Sequence, residues 1–228
     1  MISCVDTGTH GIGDAHTSVD EWLRPQWDRA ALLVVDTQVD FVDGASPIPG
    51  TAEVLPALAQ LVAAFRGAGR PVVHVVRLYD GEDVDLVRRT LIASGASIVR
   101  PGSPGSQLAG ALRPAGAPDL VAADLLAGGF QPLADQEWAM WKPRWGAFHR
   151  TDLDAFLRGR GVSTVVVAGC NFPNCPRATV YGASERDYRV VIAADSVSGV
   201  QAWHLQEAGR IGALPYRAGD IAAALRRG

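Results

Sequence analysis

Four polar side chains each stand at or just past the end of an apolar run, and together their types could carry out acyl transfer. Asp36 closes A-L-L-V-V (31–35), Arg77 closes P-V-V-H-V-V (71–76), and Lys142 follows W-A-M-W (138–141). Cys175 stands one short polar loop beyond T-V-V-V (164–167). A thiol becomes a strong nucleophile once it has lost its proton, and a carboxylate can take that proton. An ammonium can stabilise the negative charge the two share, and backbone N–H groups can hold an oxyanion. Cys175 is followed by Pro176, a residue suited to the first turn of a helix because its missing N–H would have no partner there. Asn174 before it can act as a cap. The cysteine is therefore expected at a helix N-terminus, where free N–H groups and the helix dipole favour a thiolate.

Those four residues can meet only if the preceding runs are neighbouring strands. Short continuous apolar runs rich in Val read as strands buried on both faces of a parallel sheet. Six are expected: 31–35, 71–76, 138–141, 164–167, 189–194 and 213–216. Helical patterns lie between them. One begins at Thr51, read as its cap, with Val54, Leu55, Leu58, Leu61, Val62 and Phe65 on one face. Others are expected at 85–92, at 151–157 behind a Thr151 cap, after Pro176, at 203–211 and at 220–226. Alternating strands and helices imply a doubly wound α/β fold, with a mostly parallel six-stranded sheet and helices on both faces. In such sheets the working residues gather at the carboxyl ends of the strands. That rule selects Asp36, Arg77, Lys142 and the loop from Cys170 to Cys175. Residues 100–137 carry little periodicity.

Composition bounds the rest. A chain of 228 residues suffices for one large domain, here 30–228, preceded by a Gly-, Asp- and Thr-rich arm at 1–29. The net charge of −3, with no basic patch, argues against nucleic acid or an acidic membrane as partner. No run approaches the roughly 20 apolar residues of a membrane span. Without a signal-peptide pattern and with only three cysteines, a reducing, cytoplasmic location is expected. His10, Asp14 and His16 in the arm could bind a metal, but a polar solvated arm is the expectation.

Three ordered motifs, L-L-V-V-D-T-Q-V-D-F around Asp36, W-K-P-R-W-G-A-F around Lys142 and G-C-N-F-P-N-C ending at Cys175, resemble those of the isochorismatase-like cysteine hydrolases. That family includes nicotinamidases and N-carbamoylsarcosine amidohydrolase. The resemblance spans about 31–216 and implies a Rossmann-like three-layer fold and a catalytic triad at Asp36, Lys142 and Cys175. It also implies a cis peptide at Cys170–Asn171, turning the Asn171 N–H toward an oxyanion beside that of Cys175, and assembly as a homodimer or homotetramer. The small-molecule substrate would be an amide, lactam or ureido compound, cleaved at its C–N bond through a thioester. One departure stands out: R-L-Y-D-G-E-D-V-D (77–85) lacks the histidines with which nicotinamidases hold a metal. No metal and no other cofactor is therefore expected, and His74 reads as a core residue.

Two other readings stay open: vinyl-ether hydrolysis of the isochorismatase type, for which Cys175 is dispensable, and a non-catalytic small-molecule-binding module. Cys170 reads as a small buried residue, and Asp195 as a loop cap. Phe41, Trp141, Trp145, Phe148 and Phe172 are candidates to line an apolar pocket. Arg77, Tyr79 and Arg144 are candidates to bind an anionic or carbonyl group.

Overall fold

The structure, a computed structural model, describes residues 20–81 and 84–227. The metal-binding candidates His10, Asp14 and His16 lie outside them. Seven strands form one sheet: β1 (Ala30–Val35), β2 (Val72–Val76), β3 (Phe130–Ala134), β4 (Glu137–Trp141), β5 (Thr164–Gly169), β6 (Arg189–Val197) and β7 (Leu214–Tyr216). Their order is β3-β4-β2-β1-β5-β6-β7, and every pairing is parallel except β3 with β4. The doubly wound fold is as expected, with one strand more. Pro132 lies in β3, at the sheet edge, where a residue without an N–H costs no ladder bond; the neighbouring Gly128 and Gly129 hide the strand in the sequence.

All six residues of β1 are buried, and they divide between two cores. Ala31, Leu33 and Val35 face one side with Val165, Val167, Val190 and Ile192. There they meet α5 (Leu153–Arg158), α6 (Cys175–Ser184) and α7 (Ala202–Gly209) through Leu153, Leu157, Val180, Ala183 and Ala208. Ala30, Leu32 and Val34 face the other side with Val72, Val166 and Val191. These pack on α2 (Thr51–Gly67) and α8 (Ala218–Leu225) through Leu58, Leu61, Val62, Phe65, Ile221 and Leu225. Period-2 alternation with both faces apolar is what a covered parallel strand requires. Each fully buried Val or Leu contributes ~1.5–3 kcal/mol, so the central strands are the rigid frame of the molecule.

Local expectations change in four places. Gly50, in a left-handed conformation at φ 82°, takes the cap position of α2, so Thr51 is its first helical residue and its hydroxyl turns inward. Asp152 precedes α5, while the Thr151 hydroxyl donates to the Ala147 carbonyl instead of capping. β6 runs past Asp195 to Val197 because Ser196 and Val197 are still buried. Part of the arm is anchored: Gln26 and Arg29 hydrogen-bond to Thr164, Ser163 and Gly161, and the Trp27 ring meets Tyr216 edge-on at 5.5 Å. Asp195 accepts the Ala218 N–H at the start of α8, as a capping role requires. Among the described residues no helix is long and apolar enough to cross a membrane.

Candidate active site

Asp36 follows β1 directly and adopts φ 52°, a left-handed conformation that a non-glycine residue takes only when its surroundings fix it. Here the Asp36 N–H is tied to the Val75 carbonyl of β2, which turns the carboxylate over the sheet edge. Lys142 follows β4 directly, with its N–H bonded to the Val76 carbonyl. Its ammonium, 0 % exposed, donates to Asp36 Oδ2 at 3.0 Å and to the Arg144 carbonyl at 3.3 Å. A lysine this deep is stable only with its charge matched and its N–H bonds satisfied. The structure thus brings Asp36 and Lys142 together.

Cys175 is the first residue of α6, 5 % exposed. Asn174 occupies the cap position without a side-chain bond to the helix. Burial pushes the Cys175 thiol up to about 12; the nearby Asp36 carboxylate pushes the same way, while the charges of Lys142 and Arg77 pull down. The expected thiolate at the helix end therefore gives way to a neutral resting thiol. One N-terminal turn does not offset desolvation beside a carboxylate. Asp36 Oδ1 is buried without a geometrically directed partner. It is the oxygen left to meet the thiol once Oδ2 holds the lysine.

The loop between β5 and α6 is pinned at several points. The Cys170 N–H donates to the Val35 carbonyl, that of Phe172 to Ser198, and that of Asn174 to Asn171. The N–H groups of Asn171 and Cys175 are not among these loop bonds, and Cys175 as first helical residue has no intrahelical acceptor. No described peptide bond is cis, so the cis bond that the resemblance implies at Cys170–Asn171 is not seen. Cys170 is buried, accepts a hydrogen bond from Thr51 Oγ1 at 3.3 Å, and its thiol is pushed up to about 11, chiefly by burial. Gly169, at φ 111°, is so close to β1 that a Cβ would overlap the Val35 carbonyl.

The expected pocket lining is dispersed. Phe148 and Phe172 belong to the core beneath α5–α7; Phe41 and Tyr79 lie in a separate cluster with Val84, Ile98, Val99 and Cys170. The Trp141 indole donates to the Leu78 carbonyl and packs on a third cluster. The Trp145 ring, half-buried, stands 5.9 Å from the Arg77 guanidinium and the Tyr79 ring 5.1 Å from it, while Arg144, Trp145 and Phe148 share the lining of one cleft. Arg77 is buried and committed: Nη1 donates to the carbonyls of Lys142 and Arg144, and Nη2 forms an ion pair with buried Asp85. It supports the lysine's backbone, which displaces the expectation that it meets an anion directly. Arg144 Nη1 donates to the Pro143 carbonyl.

Two residues in the same place escaped the sequence reading. Gln38 is fully buried; its amide donates to the carbonyls of Arg77 and Ser106 and accepts the Arg77 N–H. Asp40 is buried and accepts the N–H groups of Val99 and Ala45. Polar residues at such spacing directly after a core strand were the available signal. His74 sits in the core, as expected, 2.6 Å from buried Glu137, which also pairs with Arg66.

Comparison with known proteins agrees with this fold. The family model for the isochorismatase domain matches residues 30–211. A protein of Arabidopsis thaliana named as a probable inactive nicotinamidase is 31 % identical over 182 residues, covering 77 % of this chain and 84 % of its own. The ureidoacrylate amidohydrolase RutB of Methylobacterium radiotolerans is 30 % identical over 212 residues, covering 84 % and 76 %. The crystal structure of an isochorismatase family protein from Desulfovibrio vulgaris superposes with a TM-score of 0.73 at 29 % identity, covering 87 % of this chain and 99 % of that one. The chain belongs to the isochorismatase family.

Proposed function

We propose that this member of the isochorismatase family is a cysteine-dependent amidohydrolase of small molecules, with Asp36, Lys142 and Cys175 as its catalytic residues. Relatives named for amide hydrolysis support the reaction class. The observation that carries it is the buried Lys142–Asp36 pair at 3.0 Å, with the Asp36 carboxylate acting on the Cys175 thiol. A cation, a carboxylate and a thiol together in a dry site cost several kcal/mol of desolvation, and a purely structural role could be filled by apolar residues.

The chemistry follows from charge balance. Ionising Cys175 to bulk solvent would place a second negative charge beside Asp36, which is why the thiol resists it. Passing the thiol proton to Asp36 instead creates no new charge. It moves the one negative charge from oxygen to sulfur, both next to the Lys142 ammonium. The thiolate then forms a C–S bond to the amide carbon, and the carbonyl π pair moves to oxygen, held by the N–H groups of Asn171 and Cys175. The oxyanion collapses, the C–N bond breaks, and the leaving nitrogen takes the proton from Asp36. Water, deprotonated by Asp36, attacks the thioester. Collapse of that second oxyanion releases the acid and the thiolate, which recovers its proton from Asp36.

The test is a screen of amides, lactams and ureido compounds for release of ammonia or amine, run with the native chain and with Cys175→Ala. Turnover by the native chain, and a loss of about 10⁴-fold or more in the variant, is expected. Vinyl-ether hydrolysis would survive the substitution, so an active Cys175→Ala protein overturns the proposal.

A further inference from the structure

Asp36 and Lys142 are set by the sheet, since the N–H of each is bonded to a carbonyl of β2. Cys175 is not: it opens α6, which lies on the sheet without sharing its ladder. The thiol can meet the Asp36–Lys142 pair only if that helix is seated in register with the segment that leaves Lys142. Residues 146–148 lie directly on α6. A Cβ added to Gly146 would stand 3.3 Å from the Ala178 carbonyl oxygen, and one added to Gly182 would stand 3.3 Å from the Phe148 ring. The front of the same segment is held at the catalytic edge, where the Arg144 carbonyl accepts hydrogen bonds from Lys142 Nζ at 3.3 Å and from Arg77 Nη1 at 2.8 Å.

Thr179 joins the two. It is 0 % exposed and stands four residues on from Cys175, on the same face of the helix. Its hydroxyl donates to the Cys175 carbonyl at 2.8 Å and accepts the Ala147 N–H at 3.1 Å. A hydroxyl has one hydrogen to give and two lone pairs to receive with, so both directions are used and the oxygen is fixed between helix and segment. A threonine inside a helix commonly turns its hydroxyl back on the carbonyl one turn earlier, and that bond alone would signal nothing. The second bond is what differs, because it leaves the helix and ends on the stretch that continues from Lys142. The buried Ala147 N–H needs an acceptor, and the acceptor it has is the group that also holds the backbone of Cys175.

We infer that Thr179 is a positioning residue for the nucleophile: its hydroxyl ties the backbone of Cys175 to the segment leaving Lys142 and so sets where the thiol stands against the Asp36–Lys142 pair. It touches no reacting atom. The inference rests on the amidohydrolase reading, and a readout that needs no substrate keeps the two apart. Misplacing a reacting group by about 1 Å can cost about 10²-fold, so even a small release of α6 is measurable. Asp36 pushes the thiol up and Lys142 pulls it down, so the pH midpoint of Cys175 alkylation by iodoacetamide, read at its peptide by mass spectrometry, reports where the sulfur stands between them. The native chain is compared with Thr179→Val, which removes the hydroxyl, with Thr179→Ser, which keeps it, and with Thr164→Val. Thr164 is the control, a buried hydroxyl at the other end of β5 that accepts the Gln26 N–H at 2.9 Å. Thr179→Val is expected to shift the midpoint by at least about half a pH unit. On the amide that the screen identifies it is expected to lose at least about tenfold in kcat, with KM within about threefold of native. Thr179→Ser restores both, and Thr164→Val lowers thermal stability while moving neither. A midpoint that stays at the native value in Thr179→Val, a shift that persists in Thr179→Ser, or an equal shift in Thr164→Val overturns the inference. Should Thr179→Val not fold, Thr179→Ala removes the same hydroxyl without pressing a methyl on the Ala147 N–H and is read by the same criteria. A chain that hydrolyses no amide yet shows the shift and its rescue upholds the positioning and overturns only the reaction assigned to it.

Discussion

Replacing Asp36 by Asn separates two quantities that most nucleophile models move together: the acidity of the thiol and the rate of turnover. The Asp36 carboxylate raises the Cys175 thiol, whereas Lys142 lowers it. Two unit charges about 4 Å apart in a medium of effective dielectric about 20 interact by ~4 kcal/mol, which sets an upper bound of roughly 3 pH units on what the Asp36 charge contributes. The substitution removes that charge and leaves the lysine ammonium facing the sulfur alone. The Cys175 thiol should therefore fall from about 12 by as much as ~3 units. The asparagine cannot take a proton, however, so turnover should fall by about 10²–10⁴-fold, the usual contribution of a positioned base. The assay is alkylation by iodoacetamide across a pH series, read at the Cys175 peptide by mass spectrometry so that Cys170 does not contribute, alongside steady-state hydrolysis. A variant that alkylates more readily at neutral pH while turning over far less is the expected pair of results. A thiol that is not made more acidic, or turnover within tenfold of native, refutes the charge-conserving transfer.

Three further outcomes follow from the same geometry. Lys142→Met leaves the buried Asp36 carboxylate without its cation, so denaturant unfolding should show a loss of about 3–5 kcal/mol, and the Cys175 thiol should rise further as its one adjacent ammonium is lost. Glu137 is raised by burial, but hydrogen bonds from Arg66 and His74, with their charges, outweigh it and hold its carboxyl below the ordinary 4.5. A folded value below the unfolded one stabilises above pH ~4.5 and is lost as pH falls through the folded value. Thermal melts from pH 7 to pH 3 should show that acid-side decline, and Glu137→Gln should flatten it while lowering stability at pH 7. Gly169→Ala forces a Cβ into the Val35 carbonyl at a positive φ, and a stability loss of ~3 kcal/mol or more by chemical denaturation is expected; a loss under 1 kcal/mol contradicts the close approach.

The central sheet was legible because a strand covered on both faces carries its own signature, an uninterrupted apolar run with a polar residue at its end. That rule selected Asp36, Arg77, Lys142 and the loop from Cys170 to Cys175, and the resemblance to a known family then singled out Asp36, Lys142 and Cys175. What stayed hidden obeys other physics. β3 contains a proline and only one buried residue, Leu133, since an edge strand needs neither apolar face nor full pairing. Thr51 has the type of a cap yet serves as a buried donor to Cys170, because Gly50 takes the left-handed cap position. Arg77 has the type of an anion ligand, and its commitment to Asp85 and two carbonyls depends on contacts 8 and 65–67 residues away that no local pattern encodes. The thiol's acidity was misjudged for a similar reason: a helix start is visible in sequence, but the depth of its burial is not.

The strand order has a consequence for which residue can stand at position 142. β4 and β1 are not neighbours; β2 lies between them. Two strand spacings amount to roughly 10 Å, so the ammonium reaches Asp36 only by a long, extended stem laid across the end of the intervening strand. The site therefore measures length as well as charge, and a histidine or a shortened lysine analogue at 142 would fall short of the carboxylate. That crossing also explains why the end of β2 holds an arginine aimed backward at the carbonyls of 142 and 144. It is the trestle under the span.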